Sequence, residues 1–272
     1  MSGFWEMMTA PIAMALVLVA MHTHLGYHVV KRGVIFVDIA LAQVAAFGVS
    51  LSLLLGGKME TDRTYLIAVA STMLGALLIS RTRSRGQKVP QEAYIGIIYA
   101  VFSAAMILVL TQVPHGGEEI RHLLVGSILW VSWQTLIKTA LLYAALGTLL
   151  WIWRRPLLRI SEDPEAARRD GLSLRRWDLV FYVILGVVVT SSVQIAGVLL
   201  VFSLLVVPVV MGVRLFSGMK VQFMYTLAVG VLAVILGSGA SYLLDLPTGA
   251  AIVCTFGLLL VVQVLIEPLL KR

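Results

Sequence analysis

One cysteine, Cys254, occurs in 272 residues, and it lies inside an apolar run. Neither a disulfide framework nor a cysteine metal cluster can be built from it. Charge is equally scarce: Asp, Glu, Lys and Arg make up 13% of the chain, well below the ~25% of a soluble domain, which excludes a soluble enzyme or a DNA-binding module. The single Gly-Lys pair, Gly57-Lys58, is followed by Met59, whereas a phosphate-binding P-loop continues with Ser or Thr. The chain therefore cannot hydrolyse ATP by itself. The period-two alternation of a membrane barrel is missing as well. What is present is 60% apolar sequence gathered into long continuous runs, so the fold class is all-α and polytopic in a membrane.

Nine runs read as spanning helices: 10–30, 34–55, 65–80, 93–113, 135–153, 177–193, 196–213, 223–244 and 250–266. At about 20 residues per span they use most of the chain and leave one transmembrane domain over 1–272, with a single long loop at 154–176. That loop mixes Glu162, Asp163, Glu165 and Asp170 with arginines, as expected of a short surface helix after Ser161. The segment 122–134 is apolar but too short to count as a tenth span.

The formal charge of +7 suggests nucleic acid until it is mapped. Of the 21 basic residues, 17 fall in alternate loops, at 31–32, 81–88, 154–176, 214–220 and 271–272; the other loops hold Lys58, Arg63 and Arg121, and Lys138 lies just inside a helix end. By the positive-inside rule the N-terminus faces outward and the C-terminus the cytoplasm. Trp5, Trp130 and Trp133 then mark the outer interface, and Trp151, Trp153 and Trp177 the inner one. The basic residues are topology signals and bring no nucleic-acid partner; the surroundings are lipid. No basic flank precedes the first helix, so the N-terminus reads as retained, not as a signal peptide.

An ionisable group in hydrocarbon is costly and usually lines a pathway. Glu92, Asp178 and Glu267 sit at inner ends beside basic residues and need no further role. Asp38 differs, because a second helix starting at Val34 would carry it about one turn inside the membrane. His24 and His28 on the preceding helix share a face at i, i+4 and bracket its depth; His22 and Gln43 lie one turn deeper. Imidazole, carboxylate and amide together suit a divalent zinc, manganese or iron ion. No nucleophile accompanies them, so an enzyme is not indicated. His115, Glu118, Glu119 and His122 read as a solvated outer loop, the alternative being a cluster that attracts or hands on a cation.

Pro208 interrupts the apolar segment QIAGVLLVFSLLVVPVVMGVRLFS. A proline in a helix interior removes one hydrogen bond and kinks or breaks the helix, so a short helix over 209–216 is expected at the inner surface. Such a helix would present Val209, Val210, Val213 and Phe216 as an apolar patch beside Gly212 and Arg214, which calls for a covering partner.

The segments LGYHVVKRGVIFVD, LVGSILWVSW, SEDPEAARRDGLS, GVLLVFSLLVVPVVMGVRL and SYLLDLPTG stand in the order found in the permease subunits of bacterial ABC transporters for zinc, manganese and iron, which this chain resembles over nearly its whole length. The resemblance implies a type II importer fold in the inner membrane and a homodimer. It also implies a cytoplasmic ATP-binding subunit, an outer solute-binding protein and a divalent metal as substrate, with no cofactor in this chain. The segment 208–217 would couple to the ATPase. One departure stands out: the family places a histidine four residues after the aspartate, where this chain has Ala42. Gln43 lies about 140° from Asp38 around a helix, and the helix-one histidines could supply the missing nitrogen. The competing class is a proton-coupled secondary metal transporter, which would show repeat symmetry and interrupted helices in both halves.

Overall fold

A computed structural model describes residues 2–59, 61–83, 89–114, 118, 126 and 128–270. Among them run α1 (Ser2–Arg32), α2 (Val37–Leu54), α3 (Asp62–Thr82), α4 (Gln91–Leu110), a 3-10 turn (Ile128–Trp130), α5 (Trp133–Ile152), α6 (Arg154–Glu162), α7 (Pro164–Arg169), α8 (Leu174–Leu215), α9 (Met219–Leu244) and α10 (Thr248–Leu270). Among the described residues eight helices are long and apolar enough to cross a membrane. One of them, α8, has 42 residues and is broken at Gly197, whose φ of 76° and ψ of 160° are not helical. The stretches on either side are roughly 35 and 27 Å long at 1.5 Å per residue, each close to the ~30 Å hydrocarbon thickness. The nine runs read from the sequence thus correspond to eight helices, one of them divided. Only glycine takes such a φ freely, and Gly126 lies against the break: a Cβ there would come 2.2 Å from the Ala196 carbonyl carbon.

The chain forms two compact units, one from 1–30, 125–142 and 195–272, the other from 31–124 and 143–194. In the first, helices approach through small residues, as helices in lipid do. A Cβ on Gly26 of α1 would fall 2.0 Å from the Leu205 carbonyl oxygen of α8, and one on Gly230 of α9 would fall 2.7 Å from Val19.

In the second unit α2 packs against α3 and α4 around Ala46, Val49, Ala68, Met106 and Leu110. Thr72 and Thr190 share a buried hydrogen bond of 2.9 Å, and the Tyr143 hydroxyl donates to the Val188 carbonyl at 3.3 Å. At the arginine-rich ends of the spans, Asp178 is fully buried. It accepts from Arg32 Nη1 at 2.7 Å and from Arg83 Nη1 at 2.8 Å. The Nε of Arg32 donates to Ser161 Oγ at 2.9 Å, tying α6 to the same cluster, and its guanidinium lies 4.2 Å over the Phe181 ring.

The long loop holds two short helices, not one. The first starts seven residues before the expected Ser161. The second is capped by Asp163, whose Oδ1 accepts from the Ala166 N–H at 2.9 Å, with Pro164 in the first turn. Pro at the first helical position needs no N–H partner. On this surface Asp170 bonds Arg159 at 2.8 Å and holds that guanidinium above its ordinary range. Within 122–134, the described residues hold the 3-10 turn and, from Trp133, the start of α5.

Candidate functional site

Asp38 enters the fold differently from the sequence expectation. Gly33 adopts φ 66° and closes α1; a turn follows in which the Val37 N–H bonds the Val34 carbonyl at 3.1 Å. The second helix therefore starts at Val37, and Asp38 lies in its first turn, not one turn inside. Residues 34–36 are spent on reversing the chain after a left-handed glycine, and the depth match to His24 and His28 loses its basis. The carboxyl is nonetheless buried, at 1% exposure, and no side chain bonds either oxygen; only the backbone N–H groups of Asp38 and Ile39 at the helix start face it. A carboxylate in a helix's first turn is favoured by the helix dipole, which offsets part of the cost of burial.

Gln43, two turns along α2, is also buried, and its Oε1 has no hydrogen-bond partner. The three histidines stand on α1, in the other unit. His22 is buried and its Nδ1 donates to the Leu18 carbonyl at 2.8 Å, the helix-internal use of a histidine. His24 meets His28 edge-on at 5.4 Å and Phe223 at 6.1 Å, and His28 is buried with its ring 5.9 Å from that of Tyr27. Among the described residues no three His, Cys, Asp or Glu side chains gather into a group that could hold a metal. In the loop after α4 Glu118 is exposed, and His115, Glu119 and His122 lie outside the described residues.

The segment around Pro208 also departs from expectation. The helix continues through Pro208 to Leu215, and Gly197 is its only non-helical position. The chain makes no turn at the proline and forms no separate helix over 209–216. A membrane helix tolerates the one lost N–H because its neighbours support the backbone. Pro208 and Val209 are buried, Val210, Val213 and Phe216 half-buried, and Arg214 is exposed, so the expected apolar patch is largely covered. Gly212 faces α9: a Cβ there would lie 2.6 Å from Thr226 Oγ1. Phe216 leans on Tyr225 at 5.2 Å, and Arg214 is ion-paired with Glu267.

The charges at the arginine-rich ends are only partly as expected. Asp178 and Glu267 do have arginine partners. Glu92 instead accepts from the backbone N–H groups of Ile35 and Phe36, in the turn before α2, and its Oε2 is buried without a hydrogen-bond partner. Sequence reading missed Glu92 because the turn it meets lies more than fifty residues earlier in the chain.

Long apolar helices carrying a few buried polar groups define a polytopic membrane protein. The chain belongs to the ABC 3 transport family, whose model matches residues 4–267. It is 29% identical over 184 residues to the manganese transport system membrane protein MntB of Synechocystis, covering 66% of this chain and 59% of that protein. Its fold is similar to that of PsaBC from Streptococcus pneumoniae in complex with Fab, with a TM-score of 0.80 and 22% identity, covering 96% of this chain and 94% of that one. It is also similar to a metal-chelate type ABC transporter in an inward-facing conformation, with a TM-score of 0.72 and 19% identity, covering 94% of this chain and 85% of that one. The architecture is that of a type II ABC importer permease.

Proposed function

We propose that the chain is the permease subunit of an ATP-driven importer for a divalent transition metal, with manganese or iron ahead of zinc. It would work as a homodimer in the inner membrane, with a separate ATP-binding subunit on the arginine-rich, cytoplasmic face and a solute-binding protein delivering the ion outside. The observation that carries this reading is Asp38, a buried carboxylate with no side-chain partner, in a chain matched almost end to end by a transport family. An ionisable group in a membrane helix normally marks an ion pathway. Oxygen ligands favour manganese and iron, whereas zinc is more often held by nitrogen and sulfur. The half-covered end of α8 at Arg214 and the α6–α7 surface are the parts available to an ATPase.

The test is uptake of radiolabelled manganese into proteoliposomes holding the permease with its ATPase and binding protein. Uptake should require ATP and fall steeply in Asp38→Asn, while Ile39→Asn has a smaller effect. ATP-independent uptake driven by a proton gradient would point instead to a secondary transporter.

A further inference from the structure

Arg32, the last residue of α1, holds two other helices of the second unit with a side chain that has no exposure. Its Nη1 donates to Asp178 of α8 at 2.7 Å and its Nε to Ser161 of α6 at 2.9 Å, while Nη2 points at the Leu157 carbonyl of α6, 3.5 Å away. The Ser161 hydroxyl donates to that same carbonyl at 2.9 Å. The apolar side of α6 packs differently: Ile160 joins Ala167 of α7 and Leu174 of α8. Arg32 is thus the polar tie between this small body and the end of α1.

A buried ion pair is seldom worth more to stability than apolar residues of the same volume. What it supplies is direction, because a guanidinium is a rigid planar fork that fixes the angle as well as the distance of its acceptors. Here one fork sets α6 and α8 at once. From the same residue the chain runs through Gly33 and the turn at 34–36 into α2, so that Asp38 follows Arg32 by six positions. We propose that Arg32, with Ser161 and Asp178 as its acceptors, is a positioning joint that carries movement of the α6–α7 surface to the start of α2. The inference rests on the ATP-driven importer reading and chooses between the two surfaces available to an ATPase. Arg214 at the end of α8 is paired with Glu267 of α10, whereas α6 leads through one side chain to the residue before the α2 turn. Displacing α6 pulls on Arg32 through its acceptors, and Gly33, free in φ, lets the turn respond. The three residues act on the ion through α2, not by touching it.

The experiment is ATP-driven Mn2+ uptake into proteoliposomes holding the permease with its ATPase and binding protein, with phosphate release measured on the same samples. Each variant then yields a ratio of ions moved to ATP hydrolysed. Ser161→Ala cuts the arm to α6 and leaves the Asp178 pair. Its ratio should fall about tenfold, the scale of one lost hydrogen bond to a charged group, while ATP hydrolysis and retention of the ATPase persist. Arg32→Lys, which keeps the charge without the planar fork, should lower the ratio too. Thr190→Val deletes another buried hydroxyl bond, to Thr72, twelve positions along α8 from Asp178. It should lower the melting temperature and leave the ratio unchanged. Wild-type ratios in both Ser161→Ala and Arg32→Lys would overturn the joint and leave the importer reading standing. So would an equal fall in Thr190→Val, which would make the loss one of general stability. If wild type moves none of Mn2+, Fe2+ or Zn2+ in response to ATP, the importer reading falls and the joint with it. Should Ser161→Ala fail to fold, Arg32→Lys decides: a lowered ratio supports the joint, and a wild-type ratio overturns it.

Discussion

Asp178 and Arg32 lie 146 positions apart in sequence and form a 2.7 Å ion pair with both side chains fully buried. Arg83 is a second partner of the same carboxylate, with a side chain 17% exposed, so one anion holds two guanidiniums at the ends of α1 and α3. Removing one member of a buried ion pair costs about 3–5 kcal/mol, because the remaining charge is left uncompensated. Asp178→Asn should therefore destabilise the detergent-solubilised permease on that scale. Arg83→Gln should cost less, since water reaches that side chain. Melting temperatures of the two variants check the order; equal stability to wild type in Asp178→Asn would refute the cluster.

The pair Arg159–Asp170 has nearly the same length, 2.8 Å, with side chains 47% and 50% exposed. Surface pairs contribute little and are screened by salt. Asp170→Asn should leave the melting temperature unchanged at high ionic strength, and a loss comparable to that of Asp178→Asn would contradict the contrast.

Gly197→Ala places a Cβ on a residue at φ 76°, where L-residues are strained, and the cost should exceed about 1 kcal/mol. Gly126→Ala should also destabilise, through collision with the Ala196 backbone. Gly147, which has open space around a Cβ, is the control: Gly147→Ala should be tolerated. Folded yield after detergent extraction is the readout.

Gly212→Glu should damage the permease itself, because the side chain would be driven into Thr226 and the Gln222 carbonyl. The isolated subunit should melt lower before any ATPase is added. A variant that melts like wild type alone and fails only to retain the ATPase would move Gly212 to an external interface.

Orientation can be read with cysteines in a background where Cys254 is replaced. Glu165, 75% exposed on α7, should as Glu165→Cys resist an impermeant thiol reagent in intact spheroplasts, whereas Lys58→Cys should react. The reverse pattern would invert the topology drawn from the basic loops.

The spanning helices were legible because length and apolarity suffice for them, and most ends fall within a few residues. The errors share one cause: local sequence does not reveal how much chain a turn consumes or whether a proline's lost bond is tolerated. Residues 34–36 look like helix, yet Gly33 commits them to a reversal, which moves Asp38 to the first turn. Pro208 looks like a stop, yet the packing of Val209 and Gly212 carries the helix past it. At the candidate site, Asp38 was legible as a costly intramembrane charge. Glu92 was not, since its significance comes from the Ile35–Phe36 amides on a distant segment, and only the fold brings them together.

The contact of Gly26 with the Leu205 carbonyl has a mechanical consequence. Backbone meets backbone there with no side chain between them, so no rotamer change can lubricate sliding, and Val209 locks the same glycine one turn further on. The α1 segment around Gly26 and the latter part of α8 must then travel as one lever in a transport cycle, and any opening or closing of a passage has to be hinged at other joints.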